Sequence, residues 1–164
     1  MSSTSPYIVV GIDGSDGSLE ALRWAIHHAE LVGADVHAVI AWEYPAMYGG
    51  HPQAIHTKQP QVPAVAAGRR GRVLTDGIAW RRNAQQTIHT AIEGAPGAAA
   101  GKVSATVTEG HPVWVLLEAA RGAELLVVGN RGHGGFAGML LGSVSERVIA
   151  HATCPVLVVP HPAA

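Results

Sequence analysis

The sequence predicts a three-layer α/β sandwich: a five-stranded parallel sheet with helices on both faces. Two observations carry this. The apolar runs YIVVGI (7–12), VHAVIAW (36–42), VSATV (103–107), ELLVVG (124–129) and PVLVV (155–159) are short, continuous and rich in β-branched residues. Continuous runs mark strands buried on both faces, whereas a sheet with one wet face alternates apolar and polar residues. Between these runs lie stretches with helical spacing, and strands that alternate with helices build βαβ units.

Each helix has its own signal. In residues 16–32, Leu19, Leu22, Ile26 and Ala29 share one stripe, and Ser15 stands where an N-cap belongs. Residues 73–93 repeat the pattern through Leu74, Ile78, Ile88 and Ile92. A third helix starts at Pro112, a residue suited to a first turn, and runs to about Arg121 with Gly122 ending it. The fourth, from about Ser143 to Ala152, puts Val144 and Val148 on one face.

The chain has 164 residues, 48% hydrophobic and 14% charged. That length supports a single domain over 1–164 with a core of its own, and the composition excludes disorder for most of it. Eleven Lys and Arg against twelve Asp and Glu give a net charge of −1, without the basic excess of a protein that binds nucleic-acid backbones. One cysteine, Cys154, allows no intrachain disulfide, which suits a reducing compartment. The opening MSSTSPYIVVGIDGS has no charged n-region or long apolar h-region, and no apolar stretch reaches the roughly 20 residues of a membrane span. The expectation is a soluble, cytoplasmic protein with no membrane partner.

Residues 44–71 break the rhythm. They are rich in Pro, Gly, His and Gln and show no period, as functional or mobile loops do. Lys58, Arg69, Arg70, Arg72, Arg81 and Arg82 cluster in and after this loop against Asp76 alone. The cluster reads either as a solvated surface or as an arm that meets an anionic ligand or partner.

The stretch VVGNRGHGGFAGMLLGSVSERV (127–148) follows an expected buried strand and feeds a helix. Gly129, Gly132, Gly142 and Ser143 form the pattern G-x2-G-x9-G-[ST]. Glycines after a parallel strand let the backbone approach a ligand closely and adopt positive φ. Exposed amides there, with the helix N-terminus at Gly142 and Ser143, suit an anion. Ser143 and Ser145 add hydroxyls and Arg131 adds a charge for phosphate. At the carboxyl end of the first strand, after Gly11 and Ile12, stands Asp13, where open α/β sheets bind ligands. Its carboxylate suits a ribose hydroxyl pair, a metal ion, or simply the cap of the turn into the first helix. Ala41, at the end of the second strand, leaves room for a planar base.

These residues resemble the universal stress protein family across nearly the whole chain. The resemblance rests on the strand-then-Asp opening with Gly-Ser, the small-Trp end of strand two and Gly110-x-Pro112. Its most specific part is Gly129-x2-Gly132-x9-Gly142-Ser143 followed by CPVLVVP. It implies strand order 3-2-1-4-5, homodimers through the last strand, and ATP binding, with Mg²⁺ or Mn²⁺ in many members. By position, Asp13 and Ala41 address the adenosine, and Gly129, Arg131, Gly132, Gly142, Ser143 and Ser145 the phosphates. The flanking Gly11, Ile12, Val128 and Val144 complete the expected cofactor-binding set. Some relatives prefer cyclic AMP.

A dimer also has a physical argument, because an apolar edge strand at 156–160 is a liability unless something pairs with it or shields it. Enzymatic function has less support. The two lysines, Lys58 and Lys102, lie outside any G-K-[ST] motif, so a P-loop NTPase is excluded and any ATP hydrolysis is expected to be slow. The ten histidines are scattered, which speaks against a structural zinc site; His51 and His56 in the loop are the best pair, and His133 lies within the phosphate-type loop. The rival readings are a nucleotide-independent interaction module and a slow ATPase.

Overall fold

A computed structural model describes residues 5–43, 69–98, 102–132 and 141–161. The elements run β1 (Tyr7–Gly11), α1 (Asp16–Val32), β2 (Asp35–Trp42), α2 (Arg69–Glu93), β3 (Val103–Glu109), α3 (Pro112–Ala119), β4 (Leu125–Gly129), α4 (Ser143–His151) and β5 (Val156–Val159). The five strands pair in parallel in the order β3-β2-β1-β4-β5, as expected. Order reverses at β1, whose neighbours are β2 and β4.

Alternate residues of the inner strands feed two cores. Ile8, Val10, Ala38, Ile40 and Val127 pack with Leu22, Ala25 and Ile26 of α1 and Ala84 and Ile88 of α2. Val9, Val39, Leu126 and Val128 pack with Val113 and Leu116 of α3 and Val148 of α4. These strands need apolar residues at every position because both faces are covered. Helix α1 begins and ends as its sequence dictates. Ser15 accepts from the Ser18 amide at 3.2 Å, and Gly33 closes the helix at φ +71°, a conformation that costs other residues more.

The edges depart from the expectation of strands buried on both faces. Ser104, Ala105 and Thr106 of β3 are exposed, and only Val103 and Val107 pack on the core. Strand β5 lies at the other edge and is half-buried along its length. Two helices also differ. Helix α2 starts at Arg69 rather than 73, and Ile78 is 60% exposed, while Ala84, Ile88 and Ala91 carry the buried stripe. At roughly 100° per residue Ile78 lies about 80° around the helix from Ile88, too far to share its face. Helix α3 stops at Ala119, because the Arg121 amide turns back to Glu118 O at 3.2 Å and tightens the last turn.

The irregular segment expected at 44–71 falls outside the described residues up to 68, as do Lys58, His51, His56 and His133. Of the basic cluster, Arg81 and Arg82 are exposed on α2. Among the described residues no helix is long and apolar enough to cross a membrane.

Candidate functional site

Two loop-to-helix junctions meet at the carboxyl edge of the sheet, one after β1 and one after β4. The first is closed by its own side chains. Asp13 Oδ1 accepts from the Ser15 amide at 2.9 Å and from the Ser15 hydroxyl at 2.5 Å. The Ser18 hydroxyl donates to Ser15 O at 2.9 Å and accepts from the Asp13 amide at 3.3 Å. Gly14 permits this turn at φ +81°. Asp13 therefore does cap the turn into α1, and its Oδ2 points toward Gly132, where a Cβ would collide with it.

The second junction is built from backbone. A Cβ on Gly129 would lie 2.7 Å from the carbonyl carbon of Gly17, and one on Gly17 would lie 2.8 Å from Arg131 O. Neither residue tolerates a side chain while the first turn of α1 stays against β4. Gly142 is the N-cap of α4, with φ −78° and ψ 160°, and among the described residues no side chain caps the helix. Its amide donates to Asn130 O at 2.7 Å, which draws the end of the loop back to its start. Positive φ, one of two roles expected of Gly129, Gly132 and Gly142, is not found at them, and the close contacts at Gly129 and Gly132 are with Gly17 and Asp13 of the chain itself.

The remaining expected residues divide by what they present. Ser143 is exposed at the first turn of α4. Ser145 is buried, and its hydroxyl donates to Gly129 O at 2.7 Å, so its proton holds the loop to the helix. Ile12, Val128 and Val144 turn their side chains into the cores, leaving backbone to line the edge. The Ile12 amide donates to Val39 O at 2.8 Å, and a Cβ on Gly11 would touch the Leu116 side chain. Ala41, buried at the end of β2, sits opposite Thr108 of β3, on the far side of β1 from the glycines. Arg131 is half-buried, with its carbonyl against Gly17.

Two contributors escaped sequence reasoning. Gly17 looked like part of a helix start, and its tight contact with the β4 loop had no local signal. Asn130 holds the loop through three bonds: its amide donates to Val159 O at 2.9 Å, its carbonyl accepts from Gly142, and its side-chain Oδ1 accepts from the His161 amide at 3.0 Å. Among the described residues no group of three or more His, Cys, Asp or Glu side chains is placed to hold a metal ion.

A parallel sheet in the order β3-β2-β1-β4-β5 with helices on both faces defines a doubly wound α/β domain. The chain belongs to the universal stress protein family, whose sequence pattern it matches over residues 6–160. It is 37% identical over 153 residues to a universal stress protein of Mycolicibacterium smegmatis, covering 93% of this chain and 45% of that one. It is 32% identical over 157 residues to universal stress protein MJ0531 of Methanocaldococcus jannaschii, covering 94% of this chain and 82% of the relative. The chain thus spans about half the length of the mycobacterial relative and most of the archaeal one. Among solved structures, protein MJ0577 shares the fold with a TM-score of 0.74 at 18% identity, over 98% of this chain and 99% of that one. A universal stress protein solved in complex with cAMP is 29% identical with a TM-score of 0.54, over 96% and 98% of the two chains.

Proposed function

We propose that this protein is an ATP-binding regulatory protein of the stress response, a single domain that holds the nucleotide at the carboxyl edge of its sheet. The observation that carries the reading is the junction of β4 and α4. Gly142 leaves the first amides of α4 without a side-chain cap, and Gly129 and Gly132 bring backbone with no side chain to the same edge. Such amides at a helix N-terminus favour phosphate. Ser143 and Arg131 supply a hydroxyl and a positive charge beside them. Asp13 follows β1 beside Gly132, where its carboxylate suits a ribose, and Ala41 stands across β1 from the glycines, where a base fits. A Mg²⁺ or Mn²⁺ ion would take most of its ligands from phosphate oxygens and water, since the described side chains offer no cluster for it. Any ATP hydrolysis is expected to be slow, because neither Lys58 nor Lys102 lies in a G-K-[ST] motif.

The half-buried β5 edge supports a homodimer formed by two-fold pairing of residues 156–160, and the lone cysteine supports a cytoplasmic location. Cyclic AMP is the second reading, favoured by the cAMP-bound relative at 29% identity. A nucleotide-independent interaction module is the third. Heat denaturation of freshly purified protein, with the released nucleotide identified by chromatography and mass detection, separates them. ATP near one per chain is the expected result. Cyclic AMP reassigns the site, and an empty protein that binds neither nucleotide by calorimetry leaves the interaction module.

A further inference from the structure

We infer that Asn130 is a positioning residue for the phosphate-facing loop, and that it acts by tying the loop to the chain that leaves β5. The inference rests on the nucleotide reading and deepens it. Asn130 directly follows the last residue of β4, and all three of its described bonds run to distant segments. Its backbone joins β5 through Val159 O and the α4 N-cap through the Gly142 amide, at 2.9 and 2.7 Å. Any residue but proline makes those two bonds. Only the side chain is specific: Oδ1 accepts from the His161 amide at 3.0 Å, across 31 residues of sequence.

That bond fixes the Asn130 side chain and pins the segment after β5 beside the start of the loop. The His161 side chain shares the corner, with its Cβ 3.8 Å from the position a Cβ on Gly17 would occupy and its Nε2 4.0 Å from Asp16 Oδ2. Gly17 in turn abuts Arg131 O. The tether thus holds the wall against which the Arg131 carbonyl is set, one residue before Gly132. Losing the Asn130 acceptor leaves a half-buried His161 N–H without its partner and frees the loop's first residues to drift from their place beside Gly142. The effect falls on the phosphate end of a ligand, because Ala41 and β2 lie across β1 from this corner.

The test removes each half of the bond separately in the full chain. Asn130→Ala takes away the acceptor, and His161→Pro takes away the donor, since proline has no N–H. A net hydrogen bond of about 0.5–1.5 kcal/mol corresponds to roughly a 2- to 12-fold change in affinity. Calorimetry with ATP should show that weakening in Asn130→Ala and in His161→Pro, the latter read against His161→Ala, which loses the imidazole but keeps the N–H, and no further loss when Asn130→Ala is added to His161→Pro. Adenosine, which lacks phosphate, should bind all these proteins alike. Parental ATP affinity in Asn130→Ala, additive losses in the double variant, or equal losses for ATP and adenosine would overturn the assignment. If the parent binds neither ligand, the nucleotide reading fails and amide exchange of the ligand-free protein decides the tether. Faster exchange at Gly142 in both single variants upholds it, and parental exchange in both overturns it.

Discussion

The two junctions at the carboxyl edge solve one problem in opposite ways. Each ends a buried strand and starts a helix whose first amides need acceptors. After β1 the answer is local: Ser15 caps α1, Asp13 and Ser18 brace the turn, and the hydrogen bonds close among neighbours. After β4 the N-cap is a glycine with no side chain to offer, and loop support comes from Ser145 and from Asn130. A self-sufficient helix start adds stability to the fold. A glycine N-cap forgoes that stability, and on the proposed reading it leaves the first amides of α4 to an anion.

The largest effect should come from forcing the two junctions apart. Gly129→Val places side-chain atoms on the Gly17 backbone, which has no flexible end to yield. Overpacking of this kind costs about 1–3 kcal/mol or more, and at roughly 2–4 °C per kcal/mol the Tm should fall by about 5–10 °C. A thermal melt within 2 °C of the parent would show that α1 does not press on β4 as described.

A sharper variant converts the second junction into a copy of the first. At Gly142 a Cβ meets only ordinary contacts among the described residues, the nearest 3.5 Å away, and the backbone is already extended. Gly142→Asp should therefore fold, gain a few tenths to about 1 kcal/mol from its cap and the helix dipole, and lose ATP affinity by about 100-fold. Melting and calorimetry on one preparation read both quantities; a stabilised variant that still binds ATP like the parent would remove α4 from the site.

At the first junction Ser15→Ala should cost about 1 kcal/mol, seen as a Tm lower by about 2–4 °C. Its effect on ATP affinity should be smaller than that of Gly142→Asp. A larger loss of affinity than of stability would make the β1 turn part of the binding surface in its own right.

The smallest effect concerns Cys154, beyond both junctions. Burial pushes its thiol above the usual value of 9.0, with backbone hydrogen bonds at Cys154 and Leu126 pulling the other way. The folded state thus favours the neutral thiol. That contribution is complete below the unfolded value and is lost as pH rises through the folded one. Alkylation of the native protein at pH 8 should be several-fold slower than that of the unfolded chain, and Cys154→Ser should flatten any fall in Tm above pH 9. Equal alkylation rates would contradict the burial.

Much of this was legible in advance. The stripe of Leu22, Ile26 and Ala29 with Ser15 before it fixed α1, because a cap and a period agree within one local stretch. The glycine spacing after β4 located the loop. On β3 the polar Ser104, Thr106 and Thr108 alternate with apolar residues as on a half-covered strand, yet Ala105 is exposed with Ser104 and Thr106, which the pattern alone does not show. What stayed hidden depends on partners far along the chain. Nothing near Asn130 announces Val159 or His161, and nothing near Gly17 announces Arg131. Ile78 looked buried because it is apolar, yet a stripe is set by angle as well as by composition.

Asn130 also places the site in time. Its partners Val159 and His161 are among the last residues described, the latter 31 positions downstream. At roughly 5–20 residues per second, a ribosome takes about 2–6 s to cover that distance. Throughout that interval β1 to β4 have already been made while the loop still lacks its anchors. Within this domain the β1–β4 scaffold is therefore made before the residues that anchor the loop at Asn130.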